Sequence, residues 1–369
     1  MGQDLLISEY QDLGASVLSN VFANLHTLKE AKNGLSLAGK FKNIPAIICG
    51  AGPSLDKQIP LLKELKNKAL IFGGGSSLNV LSHHGVPFHF AASFDPDPPY
   101  NRFLDQSGFE VPFFYQGRVS QKLLSLVHAP LLWVPDNEIY PLESFLYEKL
   151  GVKSFSFDAG WTVGNFMTAL ASLLGCDPII FVGMDYSGTY SSGVLAKDEA
   201  SSAIIKKDFI LASLWTSSLA KNTSATYINA TEGGIGFEGI VSLPFKEAVS
   251  KHLTSSLDLE AKVHQEALEV PKFALPKEDI AKLLEDVKAS IERALSLSEK
   301  MLHIASLYHP SSFEDKADFV LADFELQEEI IAQKFLIPLW EVWKTHLNDT
   351  SLQKILFFVK ALRGLREIT

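Results

Sequence analysis

The sequence is short of sulfur and of positive charge, and it has no long apolar run. Its two cysteines, Cys49 and Cys176, lie in or beside apolar stretches, and neither belongs to a CxxC pair. Two buried thiols in a reducing compartment are therefore expected, with no disulfide and no metal site. Lysine and arginine number 33 against 43 aspartates and glutamates, a formal net charge of −10. A nonspecific nucleic-acid binder needs clustered basic residues, so this balance argues against one. It leaves room for a small anion held by backbone amides, which need no positive side chain. No apolar run approaches the ~18 residues of a membrane span. The opening MGQDLLISEYQD is acidic and lacks the basic-then-apolar order of a signal peptide, and Leu6 breaks the myristoylation pattern. A cytoplasmic chain is expected.

What is present is apolar residues in two different rhythms. Hydrophobic residues make up 47% of 369, enough for a sizeable core in one large or two domains. Residues 1–43 carry Tyr10, Leu13, Val17, Val21, Leu25 and Leu28 at helical spacing, with Asn33-Gly34 as the closing signal, and read as an N-terminal helical arm. Residues 44–254 alternate short apolar runs (IPAIICG, ALIFGGG, FHFAASF, LLWVP, KSFSF, PIIFVG and ATYIN) with helix-compatible stretches such as Leu55–Lys66, Ser77–His84, Val119–Val127 and Thr162–Leu174. Apolar strands separated by helices predict an α/β, Rossmann-like parallel sheet with helices on both faces. Residues 255–369 have almost no strand signal. Ile280–Leu302 and Ile355–Leu365 each trace a helical face, and a bundle of three or four helices is predicted, entered through the proline-bearing EVPKFALPKED at 269–279.

Several strands end in Gly or Asp, where an open α/β sheet holds its ligands. In AIICGAGPSLD, at 46–56, Gly50 and Gly52 allow a sharp turn and a close ligand approach, Pro53 suits the first turn of a helix, and Ser54 adds a hydroxyl. Free amides at the start of the helix opening on Leu55 would make an anion site; the alternative is a glycine-rich turn of purely structural use. The dinucleotide fingerprint and the Walker loop are both absent. Gly74 and Ser76, small residues after the second strand, suit contact with a base or ribose. Asp95 and Asp97 flank Pro96 and could bind a ribose hydroxyl, hold a metal or act as a base, or simply form a solvated loop. Asp185, after Gly183, could bind ligand or fix its own loop through backbone amides. Glu232 could order a sugar site or serve as a base, or sit in a tight turn.

The run Gly50-x-Gly52-Pro53-Ser54-Leu55 after an apolar strand resembles the opening of the motility accessory factor family, flagellin glycosyltransferases that use nucleotide-activated nonulosonic acids. It is also similar to the opening of a bacterial sialyltransferase family that binds CMP-sialic acid on a related fold. SFDPD at 93–97, GWTVGNFMTALASLLGCDPIIFVGMDYS at 160–187 and NATEGGIGFEG at 229–239 extend the resemblance to the first family. The resemblance implies that Gly160, Thr162, Gly164 and Asn165 open a second strand-to-helix turn facing the first across the sheet. Both turns would then hold the nucleotide. The similarity to the sialyltransferases implies that Tyr186 and Tyr190 could donate phenol protons to the leaving phosphate; Asp97 and Glu232, from their places after strands, are further catalytic candidates. The co-substrate implied is a CMP-type nucleotide sugar, and the acceptor is a protein or glycan hydroxyl.

The chain departs from the sialyltransferase-like pattern in having no histidine between 184 and 251, so the catalytic base is open among Asp97, Asp198, Glu199 and Glu232. Two alternatives follow. One is a 6-hydroxymethylpterin diphosphokinase of the MptE-like kind, which would require ATP and magnesium, although Pro-Asp-Pro-Pro replaces the Asp-rich motif that resemblance would want. The other is a nucleotide-binding or scaffold protein without turnover. The apolar C-terminal helices, including Phe357 and Phe358, point to contact with a protein acceptor or with a second copy as a homo-oligomer.

Overall fold

The structure is a computed structural model that describes residues 2–99, 107–136, 141–152, 157–186, 207–308, 313–314, 316–347 and 350–369. Tyr190, Asp198, Glu199 and most of the expected KSFSF strand lie outside the described residues. Along the chain the helices are α1 (Gly2–Leu28), α2 (Leu55–Leu62), α3 (Ser76–His83), α4 (Gln121–Leu124), α5 (Pro141–Lys149), α6 (Val163–Leu174), α7 (Lys207–Asn222), α8 (Phe245–His252), α9 (Leu259–Glu269), α10 (Lys277–Leu307), α11 (Ala317–Glu328), α12 (Ile337–Trp343) and α13 (Ser351–Ile368). The strands are β1 (Lys32–Asn33), β2 (Ala46–Cys49), β3 (Leu70–Gly74), β4 (Phe90–Ser93), β5 (Phe113–Tyr115), β6 (Leu131–Trp133), β7 (Ile179–Val182), β8 (Tyr227–Asn229) and β9 (Val241–Ser242).

Two compact units result. An α/β unit comprises Leu28–Asn137 and Phe157–Phe273; a helical unit comprises Met1–Thr27, Glu138–Ser156 and Ala274–Thr369. Residues 28–43 and 255–273 thus fall in the α/β unit.

Among the described residues the α/β unit has nine strands, all parallel, in the order β1-β6-β5-β4-β3-β2-β7-β8-β9. Ala46 of β2 stands between Leu70 of β3 and Ile179 of β7. Every residue of β2, β3, β4 and β7 is buried, so both sheet faces are covered, which is why these strands read as continuous apolar runs. Helix α6 contributes Phe166, Leu170, Ala171 and Leu174 to this core, each fully buried. It ends at Gly175, whose left-handed φ of 82° closes the helix as glycine does.

The N-terminal helix stops at Leu28 rather than at Asn33-Gly34. Asn33 instead accepts from the Leu35 N–H at 3.0 Å and caps a short 3-10 turn, while Lys32–Asn33 becomes an edge strand beside β6. The Lys32 ammonium donates to the carbonyls of Ala267 and Leu268, at the negative end of α9.

In the helical unit α10 packs against α11 and α13, burying Ile280, Val287, Ile291 and Leu295. Arg293 forks onto Glu329 at 2.7 and 3.0 Å, and Ser290 donates to the same carboxylate at 2.7 Å. Among the described residues no helix is long and apolar enough to cross a membrane. Cys49 and Cys176 are both buried and free, and burial raises both thiol pKa values.

Candidate functional site at the switch in strand order

From β2 the chain steps outward through β3, β4, β5 and β6, then returns to β7 on the other side of β2. Connections leave β2 and β7 in opposite directions, and the carboxyl ends of such a strand pair leave a crevice. A cavity of about 220 Å3 lies there. The ends of β2 and β3 supply Gly50, Gly52, Gly74 and Ser76; the segment after β4 supplies Asp95. Thr162 and Gly164 come from the start of α6, and Gly183, Asp185 and Tyr186 from the end of β7. Both helix-start turns therefore reach one cavity. Pro53, Ser54, Leu55, Gly160, Asn165, Asp97 and Glu232 do not line it.

In the first turn the amides of Gly50, Gly52, Ser54 and Leu55 are engaged within the protein. Gly50 and Gly52 donate their N–H groups to the carbonyls of Val182 and Gly183, each at 2.8 Å. A methyl group at Gly50 would fall 2.2 Å from the Gly183 oxygen, so only glycine permits β2 and β7 to continue side by side past their ends. Pro53 has no N–H, and Leu55 donates back to Gly52 at 3.0 Å. The Ser54 hydroxyl donates to Oδ2 of Asp185 at 2.7 Å, with the Ser54 N–H 3.4 Å from the same atom. The anion cradle expected over Gly52, Pro53, Ser54 and Leu55 is thus filled by the protein's own carboxylate. Asp185, 4% exposed, also accepts from Ile235 through its carbonyl at 3.0 Å, tying the β8–β9 loop to the α2 start.

The second turn is built differently. Thr162 caps α6 by accepting from the Asn165 N–H, while Oδ1 of Asn165 accepts from Trp161 and Thr162 at 3.1 and 3.2 Å. This capping box uses the third helical amide and leaves the N–H groups of Val163 and Gly164, which precede any intrahelical acceptor. Both residues line the cavity. Asn165 is fully buried, and its Nδ2 lies within reach of Ala212 O, Thr216 Oγ1 and Tyr186 Oη at 3.0, 2.8 and 3.3 Å. It holds the turn and does not face the cavity. Gly160 has φ 68°, and its N–H bonds Asp158 at 2.9 Å.

Tyr186 sits in the left-handed region at φ 49°, which turns its ring back over the α6 start. Its oxygen is 3.5 Å from Thr162 Oγ1. Burial pushes the phenol up to about 12, so it remains protonated and able to donate. The carboxylates separate in role. Asp95 lines the cavity, and its Oδ1 accepts from the Asp97 N–H at 3.2 Å, leaving Asp97 exposed outside. Glu232 is exposed and accepts from the Phe245 N–H at 3.2 Å, at the start of α8. Among the described residues no three His, Cys, Asp or Glu side chains gather as a metal cluster. A magnesium ion held mainly by water and substrate phosphates needs only one or two carboxylates, and Asp95 is placed to supply one.

Three lining residues had no signal of their own in the sequence: Met167, Met184 and Phe209. Phe209, near the start of α7, lies 5.8 Å from the Tyr186 ring and gives the cavity an aromatic wall.

Residues 19–191 match the family model described as 6-hydroxymethylpterin diphosphokinase MptE-like. That segment covers β1 to β7 and all of the cavity except Phe209. The fold is similar to the structure of MAf glycosyltransferase from Magnetospirillum magneticum AMB-1, with a TM-score of 0.62 and 15% identity over 96% of this chain. This chain spans 58% of that one. No protein of curated function matches the sequence. The fold implied by the motif resemblance is thus present, and residues 19–191 carry the MptE-like match.

Proposed function

We propose, from an MptE-like segment set in a MAf-glycosyltransferase-like fold, that this chain is a glycosyltransferase acting on a CMP-linked nonulosonic-type sugar in the cytoplasm. One observation supports the reading: Val163 and Gly164 of the α6 start line the same switch-point cavity as Tyr186, whose phenol is neutral. The Val163 and Gly164 N–H groups would receive the donor phosphate, and the helix dipole would favour its charge. Tyr186 would donate to the phosphate oxygen that gains charge as the glycosidic bond breaks. The glycine floor at Gly50, Gly52 and Gly74 lets the nucleotide lie against main chain, and Asp95 would accept from ribose hydroxyls. An acceptor hydroxyl from a protein or glycan would then bond to the oxocarbenium-like carbon, held in line by the site, and its proton would pass to the departing CMP phosphate. The helical unit would recognise that acceptor or a second copy.

The second reading, a pterin diphosphokinase, is favoured by the family description itself. It would use Asp95 with magnesium and ATP. Calorimetry with CMP, CMP-sialic acid and Mg-ATP separates them. CMP binding that weakens about tenfold in Tyr186→Phe supports the first, since one hydrogen bond to a charged group is worth roughly that much. Mg-ATP binding with AMP release from hydroxymethylpterin supports the second. Binding of CMP without donor hydrolysis or transfer indicates a protein without turnover, and indifference to all three ligands ends both catalytic readings.

A further inference from the structure

The helical unit contains a second cavity, of about 490 Å3, which the proposed function does not use. Its volume is in the range of small-molecule clefts, roughly 300–1,000 Å3. Four rings frame it. Tyr10 of α1 lies 6.2 Å from Trp343 and 6.3 Å from Phe335, and Phe357 of α13 lies 5.7 Å from Trp343. Tyr10 reaches this place because residue 14 is glycine: a methyl there would fall 2.7 Å from the Tyr10 ring. Phe335 belongs to a π-helical turn, Ala332–Leu336, just before Pro338, and such widened turns often accompany binding sites.

Three features make this more than an imperfectly packed core. The indole N–H of Trp343 is buried and has no hydrogen-bond partner among the described residues. A buried donor left so is costly, and a small turn of the ring that opened it to the cavity would let an acceptor from a ligand satisfy it. Lys360 lines the same cavity, is exposed, and has no carboxylate partner among the described residues. Gly364, also lining, has nothing within 4 Å of where a side chain would begin. Glycine within a helix is disfavoured relative to almost any other residue, yet here it keeps space open that a side chain would occupy without a clash.

The rings alone would suit a cation or an alkyl chain. Lys360 opposes a cation, and the indole N–H asks for an acceptor. We propose that this cavity binds a single-chain carboxylate amphiphile, its alkyl chain among Tyr10, Phe335 and Phe357 and its carboxylate on the Trp343 N–H and Lys360. Burial lifts the Tyr10 phenol to about 12, so that wall stays uncharged across the working pH range.

Titration of the full chain with dodecanoate by calorimetry tests this. One saturable site per chain is expected, with dodecanol at least tenfold weaker because it lacks the charge. Trp343→Phe should weaken dodecanoate about tenfold, and Lys360→Gln about fivefold. Gly364→Phe should abolish binding while the thermal midpoint holds or rises, since the helix loses a glycine. Absence of saturable binding, equal affinity for dodecanol, or undiminished binding by Gly364→Phe overturns the proposal. So does a dimer by light scattering that Gly364→Phe converts to a monomer while dodecanoate binds neither form; the groove would then be a contact between copies.

Discussion

The turns that open α2 and α6 look alike in sequence, each a glycine-bracketed step from apolar strand to helix, and they meet at one cavity, yet their helix-start amides are engaged in different ways. At the first, Asp185 reaches the α2 start from the end of β7 and takes the Ser54 hydroxyl at 2.7 Å. At the second, Thr162 and Asn165 cap each other locally and leave Val163 and Gly164. A helix N-terminus attracts negative charge in either case. What differs is whether the protein's own chain supplies that charge. The first turn is a joint between β2, β7 and the β8–β9 loop, and the second is where the proposed function puts the donor phosphate.

The sharpest way to break this contrast is to add one methyl group to each turn. At Gly52 it would fall 1.9 Å from Oδ2 of the buried Asp185, which is held by Ser54 and has nowhere to move. Gly52→Ala should cost about 3 kcal/mol, as overpacking at a rigid contact does. At Gly164 the nearest atom is the Cε of Met184, at 2.6 Å, the free end of a flexible side chain. Gly164→Ala should cost under about 1 kcal/mol, because the thioether can swing aside and alanine favours the helix. Urea denaturation of the two variants reads the difference directly. Equal losses would mean that the first turn is no more rigid than the second.

Asp185→Ala should come next, at about 2 kcal/mol, since the Ser54 hydroxyl would be left buried without a partner. The same change uncovers the Ser54 N–H. Inorganic phosphate should then raise the variant's melting temperature more than it raises that of the parent chain. If phosphate shifts both equally, the carboxylate is not what keeps anions from α2. Thr162→Ala removes a cap and should cost about 1 kcal/mol. It should also weaken CMP severalfold, where loss of stability without loss of affinity would detach the second turn from binding.

How much of this was legible in the sequence depends on the reach of each contact. AIIC, LIFGG and IIFV announce β2, β3 and β7 because strands covered on both faces cannot tolerate polar residues. β1 and β9 are two residues each at the sheet edges, Lys32–Asn33 and Val241–Ser242, and carry no apolar run to read. Asn33-Gly34 has the look of a helix end, but Asn33 caps a different turn. Glycines at 50, 52, 160 and 164 show that the chain must bend at these points. They do not show what the bend meets, because Ser54 and Asp185 are 131 positions apart. Phe209 was hidden for a similar reason: in KDFILASLW it reads as one more apolar residue of a helix, and only the packing of α7 brings it to Tyr186.

Glu232 offers the smallest effect and a separate check on which carboxylates belong to the cleft. In sequence it was a candidate base; in the structure its Oε1 accepts from the Phe245 N–H, 13 positions on, where Pro244 at the cap position offers no side-chain oxygen of its own. A carboxylate there also complements the helix dipole, though its exposure to solvent limits the gain. Glu232→Ala should lower stability by about 0.5 kcal/mol, and Glu232→Gln by less, because the amide oxygen can still accept. Neither should change CMP affinity, since the side chain is absent from the cavity wall. A loss of transfer activity in Glu232→Gln at unchanged stability would return this residue to the catalytic machinery, although Asp95 lines the cavity and Glu232 does not.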